Sequence, residues 1–421
     1  MTTITILATS DLHGFLPDTL ADVPGDPSAA NAHAAGILAA HAAKRMTGVD
    51  DATLLIDAGD YLLGSAYATF TARSAERESP LTRVASACGY TAMALGNHDF
   101  DHGTALPASQ NPHLHERLLC CNVTDEEGHP IFHPYRLVQA RGIRVGIVGA
   151  VTGALPQLTA FRNTQHIHVL DAVESIRTTV NRIRADVDLL IVAYHGGIEC
   201  DMASGRPTQY DTGEDQAYRI LSTIPGIDGL ICGHQHRTNH GECHGIPYVQ
   251  PGYQGNSVGF ISYQFEERRI SRHETAMLHP TTDKLEPLDP TTTMNLRLDE
   301  YRTWLDQPID TGRFGEYITL KTGIRLQRFI WRKTSDGTTT IREFHHSFPK
   351  PYTASVFRLT WEELRTCIDQ GLIQADMIPA TEAPLGGYQV ITNTPEAFPT
   401  YRLESRTVDN LFDEYLHWLK Q

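Results

Sequence analysis

The sequence predicts an α/β protein with a second, smaller α+β domain at its C-terminal end. Three observations carry this reading. Short apolar runs alternate with helical patterns from residue 1 to about 265, as in α/β architectures. The stretch LHPTTDKLEPLDPTTTMN at 278–295 is rich in proline and threonine and reads as a linker. At 421 residues the chain is too long for one ordinary domain. The expected division is a first domain at 1–280, a linker at 281–295 and a second domain at 296–421.

The elements follow in order. Short apolar runs bounded by turn residues predict buried strands at 4–8, 52–56, 91–95, 144–148, 187–193 and 229–231. Helical spacing of apolar positions predicts helices at 79–88, 169–185 and 215–224. Beyond the linker a helix is expected at 295–306, strands near 356–359 and 388–392, and helices at 361–370 and 408–419.

Composition narrows the function. Hydrophobic residues make up 41% of the chain, enough for a large core. Fifty acidic against 35 basic side chains leave a formal charge of −15, which repels nucleic acid, so no polynucleotide partner is expected. A small anionic substrate would then need a local positive device, such as a metal or a few arginines. The start, MTTITILATSDLHG, has neither the basic region nor the apolar run of a signal peptide. No stretch approaches the ~20 apolar residues of a membrane helix. Seven cysteines, an odd number without a CxxC pair, suit reduced thiols and a cytoplasmic location.

The polar residues that end the apolar runs carry the chemistry. The run ITILATS leads into Asp11 and His13, LLIDAG into Asp60, AMALG into Asn97 and His98, LLIVAY into His195, and LICG into His234 and His236. Ligand sites of open α/β sheets lie beyond the carboxyl ends of strands, so neighbouring strands would aim these groups into one crevice. Mixed imidazole, carboxylate and amide donors suit divalent Mn, Zn, Fe or Co. Asp-x-His and His-x-His place two donors on one side of a turn, because alternate residues share a face. Two cations in such a set can neutralise a phosphoryl group and activate water. Each element alone has a plainer reading: Asp-x-His suits a turn, Asp60 an Asx-turn with Asp57 as competing carboxylate, and His195 a loop. The joint order of five such clusters argues for a site.

In that order, DLH at 11–13, GDYLLGS at 59–65, GNHD at 96–99, YHGG at 194–197 and GHQHR at 233–237 resemble the calcineurin-like metallophosphoesterases. DAGDYLLGS, ALGNHDFDHG and IPYVQPGYQGNSVGFI at 246–261 are similar more narrowly to the 5′-nucleotidase branch. The resemblance covers about residues 3–265 and implies a four-layer α/β/β/α sandwich with a dinuclear site. It places one divalent metal (Mn, Zn, Fe, Co or Mg) on Asp11, His13 and His236, and another on Asn97, His195 and His234, with Asp60 as the bridge. It makes His98 the catalytic imidazole and Asp101 its partner, with Asp99 as the other candidate. The activity implied is two-metal hydrolysis of phosphomonoesters on nucleotides or related small metabolites.

The C-terminal part resembles the substrate domain of the same branch in three places: 295–309, 348–371 and 385–393. Its base-stacking motifs are partial. Pro351-Tyr352 is followed by Thr353-Ala354 where the branch has asparagine, and YQVITN runs into TPEAF where a GGDG-type loop is expected. Tyr352 is the candidate for stacking on a base and Arg325 for holding a phosphate. Alternatives are a cyclic nucleotide phosphodiesterase, a nucleotide-sugar hydrolase, or a non-catalytic metal-binding relative.

Overall fold

The computed structural model describes residues 1–15, 43, 52–72, 80–101, 112–159, 161–279, 296–310, 312–322, 339–346, 355–369, 388–392, 403–406, 415–416 and 418–419. Tyr352, Arg325, His102, the 281–295 stretch and most of 408–419 lie outside them. The chain divides into two compact units, Met1–Arg302 and Thr303–Gln421.

The strands of the first unit are β1 (Thr2–Thr9), β2 (Thr53–Asp57), β3 (Ala92–Ala94), β4 (Leu118–Leu119), β5 (Val123–Thr124), β6 (Tyr135–Ala140), β7 (Ile143–Val151), β8 (His168–Val169), β9 (Leu189–His195), β10 (Gly229–Cys232), β11 (Thr238–Cys243), β12 (Ile246–Pro251), β13 (Val258–Glu266) and β14 (Arg269–Leu278). They form two six-stranded sheets, ordered β14-β13-β1-β2-β3-β4 and β11-β12-β10-β9-β7-β6, and a small β5-β8 pair. Strands β1 to β4 are mutually parallel, as are β7, β9, β10 and β12. Antiparallel strands close one flank of the first sheet and both flanks of the second.

One core lies between the sheets. Ile4, Ile6, Ala8, Leu54 and Ile56 of the first sheet cluster with Val145, Ile147, Leu189, Ile191, Ala193, Ile231 and Val249 of the second. A second core covers the far side of the second sheet. There the helix Ala172–Ile183 turns Val173, Ile176, Val180 and Ile183 onto Val148, Leu190 and Val192, and the helix Ala217–Thr223 adds Ile220 and Leu221. On the first sheet the outward residues Leu7, Leu55 and Met93 are buried as well, which a solvated face would not allow. The β2–β3 crossover holds the helices Ala66–Ala72 and Pro80–Cys88.

The predicted helix at 169–185 starts later, at Ala172, because Val169 pairs with Val123 and the Asp171 carboxylate caps the helix by accepting from Glu174 N–H at 2.9 Å. The predicted strand at 187–193 is shifted to Leu189–His195, so His195 is itself the last strand residue.

The helix Leu298–Leu305 spans the division of the chain. Its first turns belong with the first unit: Tyr67 donates to the Leu296 carbonyl at 2.9 Å, and the Tyr67 and Tyr301 rings meet edge to face at 5.1 Å. In the second unit β15 (Ser355–Leu359) is central between β16 (Tyr388–Thr392) and β17 (Leu403–Arg406). Phe314, Phe344 and Tyr415 form a buried aromatic cluster with centroids 4.9–5.4 Å apart. Reciprocal Thr–Glu capping boxes start the helices Ile341–His346 (Thr340, Glu343) and Trp361–Asp369 (Thr360, Glu363).

Candidate metal centre and catalytic dyad

The parallel strands β1, β2, β3, β9 and β10 sit centrally in two facing sheets, and their carboxyl ends bring the predicted residues together. Asp11 and His13 follow β1, Asp60 follows β2, Asn97 and His98 follow β3, His195 ends β9, and His234 and His236 follow β10. Asp11, His13, Asp60, Asn97 and His195 are buried, while His234 and His236 are half-buried.

The backbone is bent to achieve this. Five of the seven predicted ligands have left-handed φ: Asp11 54°, His13 52°, Asp60 56°, His234 71° and His236 57°. Such a conformation costs a non-glycine residue about 1–2 kcal/mol, and its clustering in one place marks a functional site. Main-chain and side-chain bonds hold the loops against each other. Asp11 N–H donates to Gly59 O at 2.9 Å and His13 N–H to Asp60 O at 2.8 Å. His234 N–H donates to the Asp11 carboxylate at 3.0 Å, and His98 N–H to Asp60 Oδ1 at 2.8 Å. Two glycines permit the close approach: a Cβ on Gly96 would fall 2.1 Å from Asp60 Oδ1, and one on Gly233 would fall 1.9 Å from Ser10 Oγ.

Two donor groups result, each with its ligand atoms within 4.8 Å of one another: Asp11, His13 and His236, and Asp11, Asp60 and His195. In this arrangement Asp11 is the carboxylate common to both. Asn97 Oδ1 joins the second group, 3.1 Å from His195 Nε2.

The tautomers test whether a cation fits. A carbonyl oxygen only accepts, so His195 Nδ1 carries the proton it donates to Ala58 O at 2.8 Å, and His13 Nδ1 the one it donates to Leu63 O at 2.6 Å. In the neutral rings Nε2 is then a lone pair. His195 Nε2 faces two further acceptors, Asp60 Oδ2 at 3.2 Å and Asn97 Oδ1 at 3.1 Å. His13 Nε2 faces His236 Nε2 at 3.0 Å and Asp11 Oδ1 at 3.9 Å. At His195 buried acceptors converge on acceptors and call for positive charge between them, so the donor set fits divalent cations.

Without a cation, protons supply that positive charge instead. Burial works against the charged His195 ring, but the Asp60 and Asp11 carboxylates outweigh it and push the ring up to about 10. Burial likewise opposes ionised Asp60, yet His195 and His98 hold it well below the usual carboxylate range. Asp11 is lowered against burial by His236 and His195. Asp57 behaves differently: burial raises it well above the ordinary value, and its oxygens accept from Thr9 Oγ1 at 2.5 Å and Gly59 N–H at 2.9 Å. Asp57 therefore ties β1 to the β2 loop and stays out of the donor set.

His98 Nδ1 lies 2.8 Å from Asp101 Oδ2, and its ring sits edge-on to His13 with centroids 5.5 Å apart. Burial disfavours the imidazolium, but Asp101 and Asp60 hold it at about 9. Asp99, the other candidate partner, faces elsewhere. It accepts from Gly96 N–H at 2.9 Å and Asp60 N–H at 3.0 Å, so it clamps the β2 and β3 loops.

Several contributing residues carry no strand-end signal in the sequence. Thr159 Oγ1 donates to Asp101 Oδ1 at 3.2 Å, and Asn163 Nδ2 to Asp101 O at 2.7 Å. Tyr253 stacks on His236 at 4.9 Å with 14° between the planes. Glu214 Oε1 accepts from His234 Nε2 at 2.7 Å, which leaves Nδ1 as the nitrogen that His234 can offer a cation. The Thr159/Asn163 spacing of four residues is the one trace visible in advance, and it is too common to single out.

A family model described as "Calcineurin-like phosphoesterase" matches residues 4–238, a span that takes in all five strand ends. The chain belongs to the calcineurin-like phosphoesterase family. Members of this family use two divalent metals, in keeping with the donor groups above. Among relatives, the chain is 26% identical over 301 residues to the trifunctional nucleotide phosphoesterase protein YfkN of Bacillus subtilis, covering 63% of this chain and 20% of that protein. It is 25% identical over 244 residues to a 2′,3′-cyclic-nucleotide 2′-phosphodiesterase/3′-nucleotidase of Yersinia enterocolitica, covering 50% and 36%. The chain thus spans about a fifth to a third of the length of these curated relatives. Among solved structures, a 5′-nucleotidase precursor from Thermus thermophilus shares the fold, with a TM-score of 0.61, 19% identity and coverage of 100% of this chain and 97% of that one.

Proposed function

We propose that this calcineurin-like phosphoesterase is a two-metal phosphohydrolase that cleaves phosphomonoesters of nucleotides or related small metabolites. One observation carries the reading: buried donors from four strand ends, with the half-buried histidines of a fifth, converge beside an intact His98–Asp101 pair. A purely metal-binding relative has no physical need for that pair. The nucleotide substrate class is supported by the names of the relatives, which act on nucleotides.

In this reading Asp11, His13 and His236 hold one cation, Asn97, His195 and His234 hold the other, and Asp60 lies between. The cations supply Lewis-acid charge that polarises the phosphoryl group and activates a water. The chain's own residues do the rest. Asp101 takes Nδ1 of His98, so Nε2 of that ring is the atom left for the substrate. As an imidazolium paired with Asp101, this ring would stabilise charge growing on the phosphoryl or departing oxygen and could give that oxygen a proton. Asp99 keeps the β2 and β3 loops at a fixed separation while this happens. Seven free cysteines, five of them buried, support our reading of a reducing, cytoplasmic setting.

The test is phosphate release by chelator-stripped protein resupplied with Mn²⁺, Zn²⁺, Co²⁺ or Mg²⁺, across nucleotides and sugar phosphates. Metal-dependent release from nucleoside monophosphates is expected. No release with any metal would overturn the proposal. A second reading is a cyclic-nucleotide phosphodiesterase, favoured by relatives carrying that name. It predicts faster turnover of bis-p-nitrophenyl phosphate than of p-nitrophenyl phosphate.

A further inference from the structure

The loop at 209–215 touches the centre through several hydrogen bonds. The Glu214 carbonyl accepts from two buried hydroxyls, Thr152 Oγ1 at 2.6 Å and Tyr194 OH at 3.1 Å. Thr152 N–H in turn donates to His195 O at 2.7 Å, so the anchor of Glu214 is built on the end of β9. The neighbouring Asp215 accepts from Gly197 N–H at 2.6 Å through Oδ1, and from Gln209 Nε2 at 2.6 Å and Gln235 Nε2 at 2.9 Å through Oδ2. Gln235 lies between His234 and His236. It binds back to Ile198 N–H through Oε1 at 2.9 Å. The loop therefore braces the turns that carry His195, His234 and His236 at once.

We propose that Glu214 is the positioning residue for His234. By accepting the Nε2 proton at 2.7 Å it fixes the tautomer and ring orientation that reserve Nδ1 for a cation, and so sets the affinity of one of the two cation positions. The geometry is that of a carboxylate on one imidazole nitrogen, the arrangement in which the other nitrogen would serve a metal. Without the carboxylate the ring loses its tautomer preference, since either nitrogen can then carry the proton. The ring edge at His195, 5.2 Å between centroids, restricts tilt but does not choose the nitrogen. The second cation position draws on His13, which bonds to Leu63 O, and on His236, which stacks on Tyr253.

The proposal rests on the two-cation reading above. Its test is equilibrium binding of Mn²⁺ to the chelator-stripped full chain, comparing wild type, Glu214→Leu and Glu214→Gln. Wild type is expected to take up two ions. Glu214→Leu should keep one at unchanged affinity and weaken the other by roughly 10–100-fold. Glu214→Gln, whose amide oxygen still accepts the Nε2 proton, should recover most of that loss. Glu214→Ala gives the same comparison if the leucine variant does not fold. Two ions bound by Glu214→Leu with wild-type affinities would overturn the proposal alone. Equal weakening by Gln and Leu would also overturn it, because it would point to packing rather than to the hydrogen bond. Wild type that binds no Mn²⁺ would overturn the two-cation reading, and this proposal with it.

Discussion

His98 is bonded to Asp101 through its ring and to Asp60 through its backbone, at 2.8 Å in both cases. One residue therefore links the acid/base pair to the metal-facing carboxylate. The ring stands outside the donor groups themselves, which are filled by Asp11, His13, His236, Asp60 and His195. Replacing His98 with alanine should accordingly lower turnover by about 10²–10⁴-fold, the usual worth of a positioned acid or base. Metal content, measured by elemental analysis, should not change. Loss of metal in step with loss of turnover would mean that His98 is a ligand instead.

Asp101 is in turn held from behind. Thr159 Oγ1 and Asn163 Nδ2 reach its side chain and carbonyl at 3.2 and 2.7 Å, and bond each other at 3.3 Å. Neither should contact the substrate's phosphate, so their removal misaligns the dyad without removing binding. Asn163→Ala is expected to lower kcat by roughly 10–100-fold with KM nearly constant. Steady-state kinetics decide it: a rise in KM with constant kcat would place Asn163 at the substrate.

Asp57 and Asp60 lie three residues apart and both are buried, yet they do different work. Asp60 Oδ2 faces the His195 ring, whereas Asp57 spends its oxygens on Thr9 and Gly59. Asp60→Asn should lower the occupancy of the metal centre, because it removes a negative charge from a site built for cations. Asp57→Asn should leave metal content intact and reduce stability by about 1–2 kcal/mol through its disturbed hydrogen bonds. Elemental analysis with the two effects exchanged would reassign the carboxylates.

Legibility in the sequence follows burial. Strands β9 and β10 are apolar along nearly their whole length, and β1 and β2 carry apolar runs at 6–8 and 54–56, because both faces are covered there, so the polar residues after these runs mark the carboxyl ends where ligands gather. The flanking strands hide themselves. In β11, His240 and Glu242 are exposed, and β14 is largely polar, so neither reads as a core strand. Asp99 and Asp101 show the limit within the site. Both are acidic neighbours of His98, and only the 3-10 turn at His98–Phe100 decides that Asp101 meets the ring while Asp99 turns back to Gly96. Glu214 is beyond reach for a similar reason, since its carboxylate acts on a histidine 20 residues away.

At the other end of β9 from this centre, Asp188 joins the two sheets. Its carboxylate, 8% exposed, accepts from Arg144 Nη2 at 3.0 Å and Arg144 N–H at 2.9 Å, next to the start of β7, and from Arg268 in the β13–β14 turn. Two guanidinium groups hold it well below the usual carboxylate range, hydrogen bonds from Arg144 first. In the unfolded chain it titrates near ~3.9. The folded state thus binds fewer protons than the unfolded one in that region. Its stabilisation is complete above about pH 4 and is lost as pH falls toward the lower folded value. Asp188→Asn should therefore cost about 1 kcal/mol at neutral pH, the guanidinium partners being half exposed and screened. Thermal midpoints of both proteins from neutral pH down to about pH 3 should converge on acidification. The gap should also narrow at about 1 M salt. A gap that widens as the pH falls would show that the carboxylate is not the ionised partner of these two arginines.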